Sequence, residues 1–246
     1  MKRYIPYLAC IILACFAPAA RASSSGDPKL DAALCDAATK GKPSDIKLLV
    51  DQGANVNTIC SSWQATPLEN ATRDDNFPNM TALLDAGADI NAWGGGDCCL
   101  KTALAYAYSV PAVQWLLAHH ANINIHSAKN GSTPLIWLSM GVCMASTDEA
   151  ADAKTKIAQV MIDGGADVNS TDKDGMTPLI MAIGAHSKSF VALLLDHGAK
   201  VNARNNYGVS PMSESMGLES RAAVTSDDPQ AYRDIQALLR AHGGVK

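Results

Sequence analysis

The sequence lacks any block of basic residues. Its 246 residues contain 20 lysines and arginines against 24 aspartates and glutamates, so the net charge at pH 7 is −4. Proteins that hold nucleic acid or anionic membranes concentrate positive charge on one face or in one stretch. We therefore expect neither nucleic acid nor a membrane surface as a partner, whereas a basic protein partner is compatible with the charge.

Motifs of known enzyme classes are also absent. There is no glycine-rich phosphate loop, no Gly-x-Ser-x-Gly elbow and no pair of residues spaced as general acid and base. His119, His120 and His126 lie close together, but no cysteine or carboxylate falls at ligand spacing with them. Structural zinc needs four ligands in fixed geometry. We expect no enzymatic activity, metal or cofactor.

A long hydrophobic run is missing as well. The apolar stretch from Ile5 to Phe16 is well short of the ~20 residues that a membrane-spanning helix needs. Lys2 and Arg3 precede it, and the small residues of Ala20-Arg21-Ala22 follow, which is the order of a secretory signal peptide. The sequence thus predicts a signal peptide over residues 1–22 and no membrane-spanning segment in the mature chain.

Removal of this segment would change the charge of the protein. Residues 1–22 hold Lys2, Arg3 and Arg21 but no acidic residue, so the net charge would move from −4 to −7. The stretch ending at Cys15 resembles a lipobox only loosely, because Leu13 is larger than that position usually takes. A lipid anchor on Cys15 is not expected.

What the sequence does contain is one unit repeated about six times. The distances from Ala32 to Gly53, from Thr66 to Gly87 and from Thr177 to Gly198 are all 21 positions. Separate copies do not share such an interval by chance. The phrase Gly-Ala-x-(Val/Ile)-Asn stands at 53–57, 87–91, 165–169 and 198–202, with a degenerate copy at 120–124, and Thr-Pro-Leu stands at 66–68, 133–135 and 177–179.

On these two phrases the chain resembles the ankyrin-repeat family over nearly all of its mature length. The resemblance implies an all-α solenoid of about six helix-turn-helix units with β-hairpin-like fingers. A linker at 23–29 would precede an ankyrin-repeat domain at 30–246. Its units would cover about 30–61, 62–97, 98–128, 129–172, 173–205 and 206–246.

Individual residues fit such a unit. Thr177 is placed to cap a first helix whose first turn holds Pro178, and Gly198 suits the left-handed residue that ends a second helix. His120 would take that geometry in unit three. Units four and six carry insertions that predict lengthened second helices. The apolar rows of the second helices, such as Ile46, Leu48, Leu49 and Val50, are predicted to be core.

Five cysteines follow the predicted signal peptide: Cys35, Cys60, Cys98, Cys99 and Cys143. An exported protein meets an oxidising compartment, so at least one disulfide is expected; the alternative is that all five stay reduced. Because adjacent fingers stack, Cys60 with Cys98 or Cys99 is the preferred pair, and Cys143 should not reach them. An odd count leaves at least one thiol free or paired between chains.

The resemblance also implies where a partner binds. Proteins of this family use their finger tips and the exposed sides of their first helices, which form a concave face. Trp63 and Tyr207 stand out because exposed aromatics often anchor interfaces, although packing against a neighbouring finger would explain them equally well. The positions carried over are Ser62, Trp63, Ala65, Arg73, Asp74, Lys101, Lys129, Asn130, Ser132, Lys173, Asp174, Met176, Asn206 and Tyr207.

These observations predict a non-enzymatic protein that binds another protein, as an inhibitor, an immunity factor or a protective accessory. A bacterial periplasm is favoured because the sequons at Asn70 and Asn79 fall within or beside helices, which are poor places for sugar. One alternative is a redox or metal-stress protein that uses Cys98, Cys99 and the three histidines. Another is an effector secreted toward a host.

Overall fold

The computed structural model describes residues 26–61, 64–95, 101–142, 148–185, 187–222 and 229–245. The predicted signal peptide and Cys15 lie outside these ranges. Within them the regular structure is helical, and no residue is in a β-strand. The helices are α1 (Pro28–Lys40), α2 (Pro43–Asp51), α3 (Pro67–Arg73), α4 (Phe77–Asp85), a 3-10 helix (Ala103–Tyr106), α5 (Val110–Ala118), α6 (Pro134–Val142), α7 (Asp148–Asp163), α8 (Pro178–Gly184), α9 (Lys188–Asp196), α10 (Pro211–Ala222) and α11 (Pro229–Ala241).

Contacts divide the chain into two compact units, one up to Ala107 and the other from Tyr108. In the N-terminal unit, α1 packs on α2 and α3, and α3 packs on α4 and on the 3-10 helix. In the C-terminal unit, the first helices α6, α8 and α10 pack in a row, and the second helices α5, α7, α9 and α11 pack in another. Each unit therefore has two layers of helices around its own core.

The helix starts follow the expected capping chemistry. The side chains of Thr66 and Thr177 accept hydrogen bonds from the backbone N–H of Glu69 and Ile180, and a proline occupies the first turn of both helices. Asp27 caps α1 in the same way. These caps satisfy N–H groups that have no partner inside the helix. Helix α1 begins at Pro28, inside the predicted linker.

The second helices end as predicted at a left-handed residue. Gly53, Gly87 and Gly198 have φ of 105°, 92° and 83°, and His120 takes the same place with φ 65°. Glycine carries no steric penalty in this conformation, whereas a residue with a Cβ does.

The apolar rows of the second helices supply buried core residues, but in the α2 row only Ile46 is fully buried, while Leu49 and Val50 are half-buried. Ile46, Met80 and Phe190 have no exposed surface, but Leu48 is 56% exposed. The prediction that Leu48 is core was wrong. Helix α2 belongs to the first repeat and contacts a neighbouring second helix, α4, on one side, so part of its row faces solvent.

Two departures from a uniform repeat are visible. The helices that follow the insertions are long, with 16 residues in α7 and 13 in α11 against nine in α2, α4, α5 and α9, which confirms the prediction for units four and six. In unit three the first helix is reduced to the four-residue 3-10 helix. None of the described helices is long and apolar enough to cross a bilayer.

Candidate partner-binding surface

The asparagine that ends each Gly-Ala-x-(Val/Ile)-Asn phrase, which we call the closing asparagine, joins consecutive repeats. The Asn169 side chain accepts a hydrogen bond from Lys200 N (2.8 Å) and donates one to Gly198 O (3.1 Å). Asn124 bonds Asp167 N and Gly165 O in the same way, and Asn202 bonds Val245 N and Gly243 O. Each such amide therefore fixes the start of one finger against the end of the next second helix.

Backbone hydrogen bonds close the base of each finger. We call fingers the five segments 60–65, 94–101, 127–132, 172–176 and 205–209, each held by an N–H at its first residue that donates to the carbonyl of its last. These closing bonds form without any β-strand in the described residues. Residues 62, 63 and 96–100, including Ser62 and Trp63 of the predicted surface, lie outside the described residues.

The last three fingers are bonded to one another. Lys173 N donates to Asn130 O (2.8 Å), and Asn206 N donates to Asp174 O (2.9 Å). The side chain of Asn206 also donates to Lys173 O (2.8 Å). The structure thus brings together five of the predicted residues, namely Asn130, Lys173, Asp174, Asn206 and, through Asp174, Tyr207.

Tyr207 is an exposed aromatic side chain held in place. It is 57% exposed, and its hydroxyl donates to Asp174 Oδ1 at 2.9 Å. The ring therefore faces solvent while its hydroxyl is bonded to the neighbouring finger. A ring fixed before binding loses little conformational entropy when a partner covers it.

Other predicted residues are placed less favourably. Ala65 and Ser132 are 1% and 0% exposed, so neither side chain can meet a partner, and both positions leave the predicted surface. Each is the last residue of its finger, where the chain turns into the next repeat. Met176 is half-buried, and its sulfur accepts a hydrogen bond from Asn205.

In the N-terminal unit, the predicted residues make local contacts. Arg73 Nε pairs with Asp74 Oδ1 at 3.2 Å, with the Arg73 side chain half-buried. Lys101 Nζ lies 5.0 Å from the centre of the Tyr106 ring. Lys129, in the C-terminal unit, is exposed.

Three comparisons with known proteins agree with this architecture. The family described as Ankyrin repeats (3 copies) matches residues 148–224. An ankyrin repeat domain from Acinetobacter baumannii AYE superposes with a TM-score of 0.62 over 86% of this chain and 98% of that one, at 24% identity. The ankyrin repeat domain of human ASB11 gives a TM-score of 0.60 over 87% and 83%, at 22% identity. The described residues thus have the fold of an ankyrin-repeat domain, and residues 148–224 match the ankyrin-repeat family.

Among curated proteins, this chain is similar to human Ankyrin repeat and SOCS box protein 6, with 30% identity over 146 residues. That alignment covers 59% of this chain but 25% of the relative. Alpha-latrocrustotoxin-Lt1a of Latrodectus tredecimguttatus is also 30% identical, over 61% of this chain and 10% of the toxin. The chain thus spans a quarter or less of these relatives.

Sequence reasoning missed the buried carboxyl group of Glu69. Glu69 is 1% exposed, and its Oε2 accepts a hydrogen bond from Thr66 N at 2.8 Å. Burial raises the pKa of Glu69 to about 8, against the opposing effects of the Thr66 and Gly94 N–H groups and the Lys101 charge. A Cβ on Gly94 would collide with this carboxylate. The Thr-x-x-Glu capping box was the signal that could have revealed it.

The cysteine pairing differs from the prediction. The structure joins Cys60 to Cys35 on α1, so the preferred pairing of Cys60 with Cys98 or Cys99 was wrong. Cys98, Cys99 and Cys143 lie outside the described residues. Asp31 on α1 also bonds Asn55 N (2.7 Å) and the Thr58 hydroxyl (3.1 Å), so the segment that leads into finger 60–65 is held against the first helix of its own repeat.

The histidines make separate contacts. His119 stacks on Trp115 with ring centres 3.8 Å apart, and its Nδ1 lies 2.8 Å from Trp115 O. His126 Nδ1 lies 2.9 Å from Gly131 O. Within the described residues, no group of three or more histidine, cysteine or acidic side chains is arranged to hold a metal ion.

Proposed function

We propose that this ankyrin-repeat protein is a non-enzymatic module that binds another protein through its last three fingers and the exposed sides of its first helices. Ankyrin repeats typically act as protein-interaction modules, and the partner differs among proteins that share the scaffold. The observation that carries the proposal is Tyr207, an aromatic side chain that is exposed yet fixed by Asp174. Rigid aromatic anchors of this kind dominate many interfaces.

The bonds between fingers support the same proposal. Backbone groups link finger 127–132 to finger 172–176 and the latter to finger 205–209. The tips therefore keep one arrangement before a partner arrives. A preorganised surface loses less entropy on binding than a set of independent loops.

We further propose that the protein acts in a bacterial periplasm, as an inhibitor, an immunity factor or a protective accessory. The charged and apolar pattern of residues 1–22 supports export. Asn79, the asparagine of one predicted sequon, is buried and donates to Ala37 O, Ala38 O and Gly41 O. Attachment of a glycan would break these bonds, which favours a compartment without N-glycosylation.

The test is a pull-down from native periplasmic extract with the immobilised mature protein. We expect the parent to retain one partner and Tyr207→Ala to lose it. Tyr207→Phe keeps the ring but not the bond to Asp174, so it should retain the partner more weakly. Leu48→Ala is the matched control, because Leu48 is equally exposed but lies on the second helix α2. Retention of the same partner by parent and Tyr207→Ala would refute the proposed surface.

A further inference from the structure

The first helices of the C-terminal unit expose one common face. In each of α6, α8 and α10, we count positions from the residue that precedes the helix. Positions four and seven reach solvent and positions two and five are buried, although α10 also exposes Ser213 and its last turn. Spacings of three and four residues lie on one side of a helix. We call these six positions the inner strip: Trp137, Met140, Met181, Gly184, Glu214 and Gly217.

The inner strip is continuous within the C-terminal unit. Helix α8 packs against both α6 and α10, so Met181 and Gly184 lie between the exposed positions of the two neighbours. Five of the six residues carry no charge, and three of these have large apolar side chains. Methionine adapts its shape to an apolar ligand more readily than branched residues do.

Open space lies above part of the strip. A Cβ added to Gly184 or Gly217 would meet no atom within 4 Å. Gly217 is also inside α10 rather than at a turn, where glycine lowers helix stability relative to alanine. No requirement of the fold therefore explains a glycine at this position, and its absence of a side chain leaves the neighbouring Glu214 accessible.

Glu214 is the acidic group of the strip. Its carboxyl is half-buried, and burial raises its pKa, with the charge of Arg221 seven residues later acting against the shift. Among the described residues, no hydrogen bond or ion pair holds this carboxylate. By contrast, Glu219 on the same helix accepts from Arg233 Nε at 2.8 Å and from Gln236 Nε2 at 2.7 Å. A half-desolvated carboxylate next to an apolar surface is stabilised by a cation from outside.

We propose that the inner strip binds a partner segment that is apolar and carries a lysine or arginine, with its apolar side chains on Trp137, Met140 and Met181 and its cation on Glu214. This inference rests on the proposed function and specifies the chemistry of the partner. The chain contains 24 acidic against 20 basic residues, so its net negative charge also favours a positively charged partner segment. Complementary charge sets which partners dock and in which register.

Gly217 allows a test by charge reversal at one site. Gly217→Arg places a cation one helical turn from Glu214, where it can pair within the helix and repel a basic segment. Gly217→Glu adds a second carboxylate at the same point. Both side chains have room to extend, so we expect thermal stability at or above that of the parent. Glu214→Gln removes the charge with little change of shape, and Asp152→Asn removes an exposed charge from α7 as the matched control.

The probes are synthetic peptides of about 14 residues, since a helix of this length spans ~21 Å and crosses three helices spaced by up to ~10 Å. One is an amphipathic leucine–lysine peptide, the second replaces lysine by glutamate, and the third replaces leucine by serine. For the leucine–lysine peptide we expect the Kd to rise about tenfold in Gly217→Arg and Glu214→Gln, to fall in Gly217→Glu, and to stay unchanged in Asp152→Asn.

Equal affinities for the leucine–lysine peptide across the parent and the Gly217 variants would overturn the inference. The inference would also be overturned if the serine–lysine peptide bound as tightly as the leucine–lysine peptide, because charge alone would then explain the binding. Equally tight binding of the leucine–glutamate peptide would overturn it as well. The outcome is separable from that of the pull-down. If Tyr207→Ala loses the partner but Gly217→Arg retains it as well as the parent does, the proposed function is supported and the proposed role of the inner strip is refuted.

Discussion

At the scale of single residues, Glu69 departs most from the pattern of the fold. The equivalent positions of α6 and α8 hold Ile136 and Ile180, both buried and apolar. Glu69 instead buries a carboxyl group whose Oε2 bonds Thr66 N, while Oε1 finds no partner within the described residues. The desolvation of a charged carboxylate outweighs the N–H bonds and the Lys101 charge, and so raises its pKa to about 8.

This pKa predicts how stability depends on pH. The folded protein keeps a proton on Glu69 that the unfolded chain, with the ordinary value of 4.5, has lost. The stabilising effect is complete below pH ~4.5 and disappears as the pH rises through about 8. We expect Glu69→Gln to gain stability relative to the parent between pH 5 and 9, by on the order of a few kcal/mol at the upper end.

The measurement is chemical denaturation of both proteins across that pH range. Comparison at pH 5 isolates the cost of the amide itself, and Asp85→Asn controls for the loss of one exposed negative charge. A stability difference between Glu69→Gln and the parent that does not change with pH would show that Glu69 titrates in the folded state as it does in the unfolded chain.

For two glycines, we expect substitution by alanine to change the free energy of unfolding in opposite directions. Gly217→Ala should stabilise the protein by about 1 kcal/mol, because the site is inside a helix and has open space. Gly198→Ala should destabilise it by a similar amount, because Gly198 has φ 83° although a Cβ there would also touch nothing. Urea denaturation of the parent and the two variants measures both changes in the free energy of unfolding. The same sign for both would contradict the assignment of their backbone roles.

At the scale of the element, the closing asparagine acts as a clamp between repeats. Asn169 both accepts from Lys200 N and donates to Gly198 O. We expect Asn169→Ala to cost about 1–2 kcal/mol, and Asn169→Asp, which keeps the acceptor and loses the donor, to cost less. Urea denaturation of the series Asn, Asp, Ala should show this order. No loss in Asn169→Ala would mean that water replaces both bonds at no cost.

The first helix is attached to its repeat by a different device. Cys60 on finger 60–65 is joined to Cys35 on α1, 25 positions apart. Non-reducing peptide mapping of the mature protein should recover this pair, and Cys35→Ala should lower stability by about 3 kcal/mol on the loop-entropy estimate. Recovery of Cys60 linked to Cys98 or Cys99 would contradict the structure and restore the pairing that finger stacking suggested.

These elements also show how far a sequence determines such a fold. Thr66, Thr177 and Gly198 act through their own backbone neighbourhood, so local chemistry was enough to assign their roles. The disulfide was wrongly predicted because Cys35 and Cys60 are 25 positions apart and meet only in the folded chain. No local sequence pattern indicates that pair. The 3-10 helix Ala103–Tyr106 of unit three was likewise missed, because the repeated phrases indicate where a repeat begins and ends but not how long each of its helices is.

At the scale of the whole molecule, a repeat scaffold separates fold from specificity. The rows that stack the helices recur in each repeat, while the exposed positions of the first helices differ: Trp137, Met181 and Glu214 occupy equivalent places. The family resemblance therefore predicts a binding face but not the chemistry of the partner. Exposure of Tyr207, burial of Ala65 and Ser132, and the register of the inner strip required the three-dimensional packing.

The most direct test of the account is amide hydrogen exchange of the mature protein with and without the partner retained in the pull-down. We expect new protection in fingers 127–132, 172–176 and 205–209 and in the first helices α6, α8 and α10, with the second helices α7, α9 and α11 unchanged. Protection concentrated on these second helices, with the fingers exchanging as in the free protein, would contradict the central claim that the fingers and first helices form the binding surface.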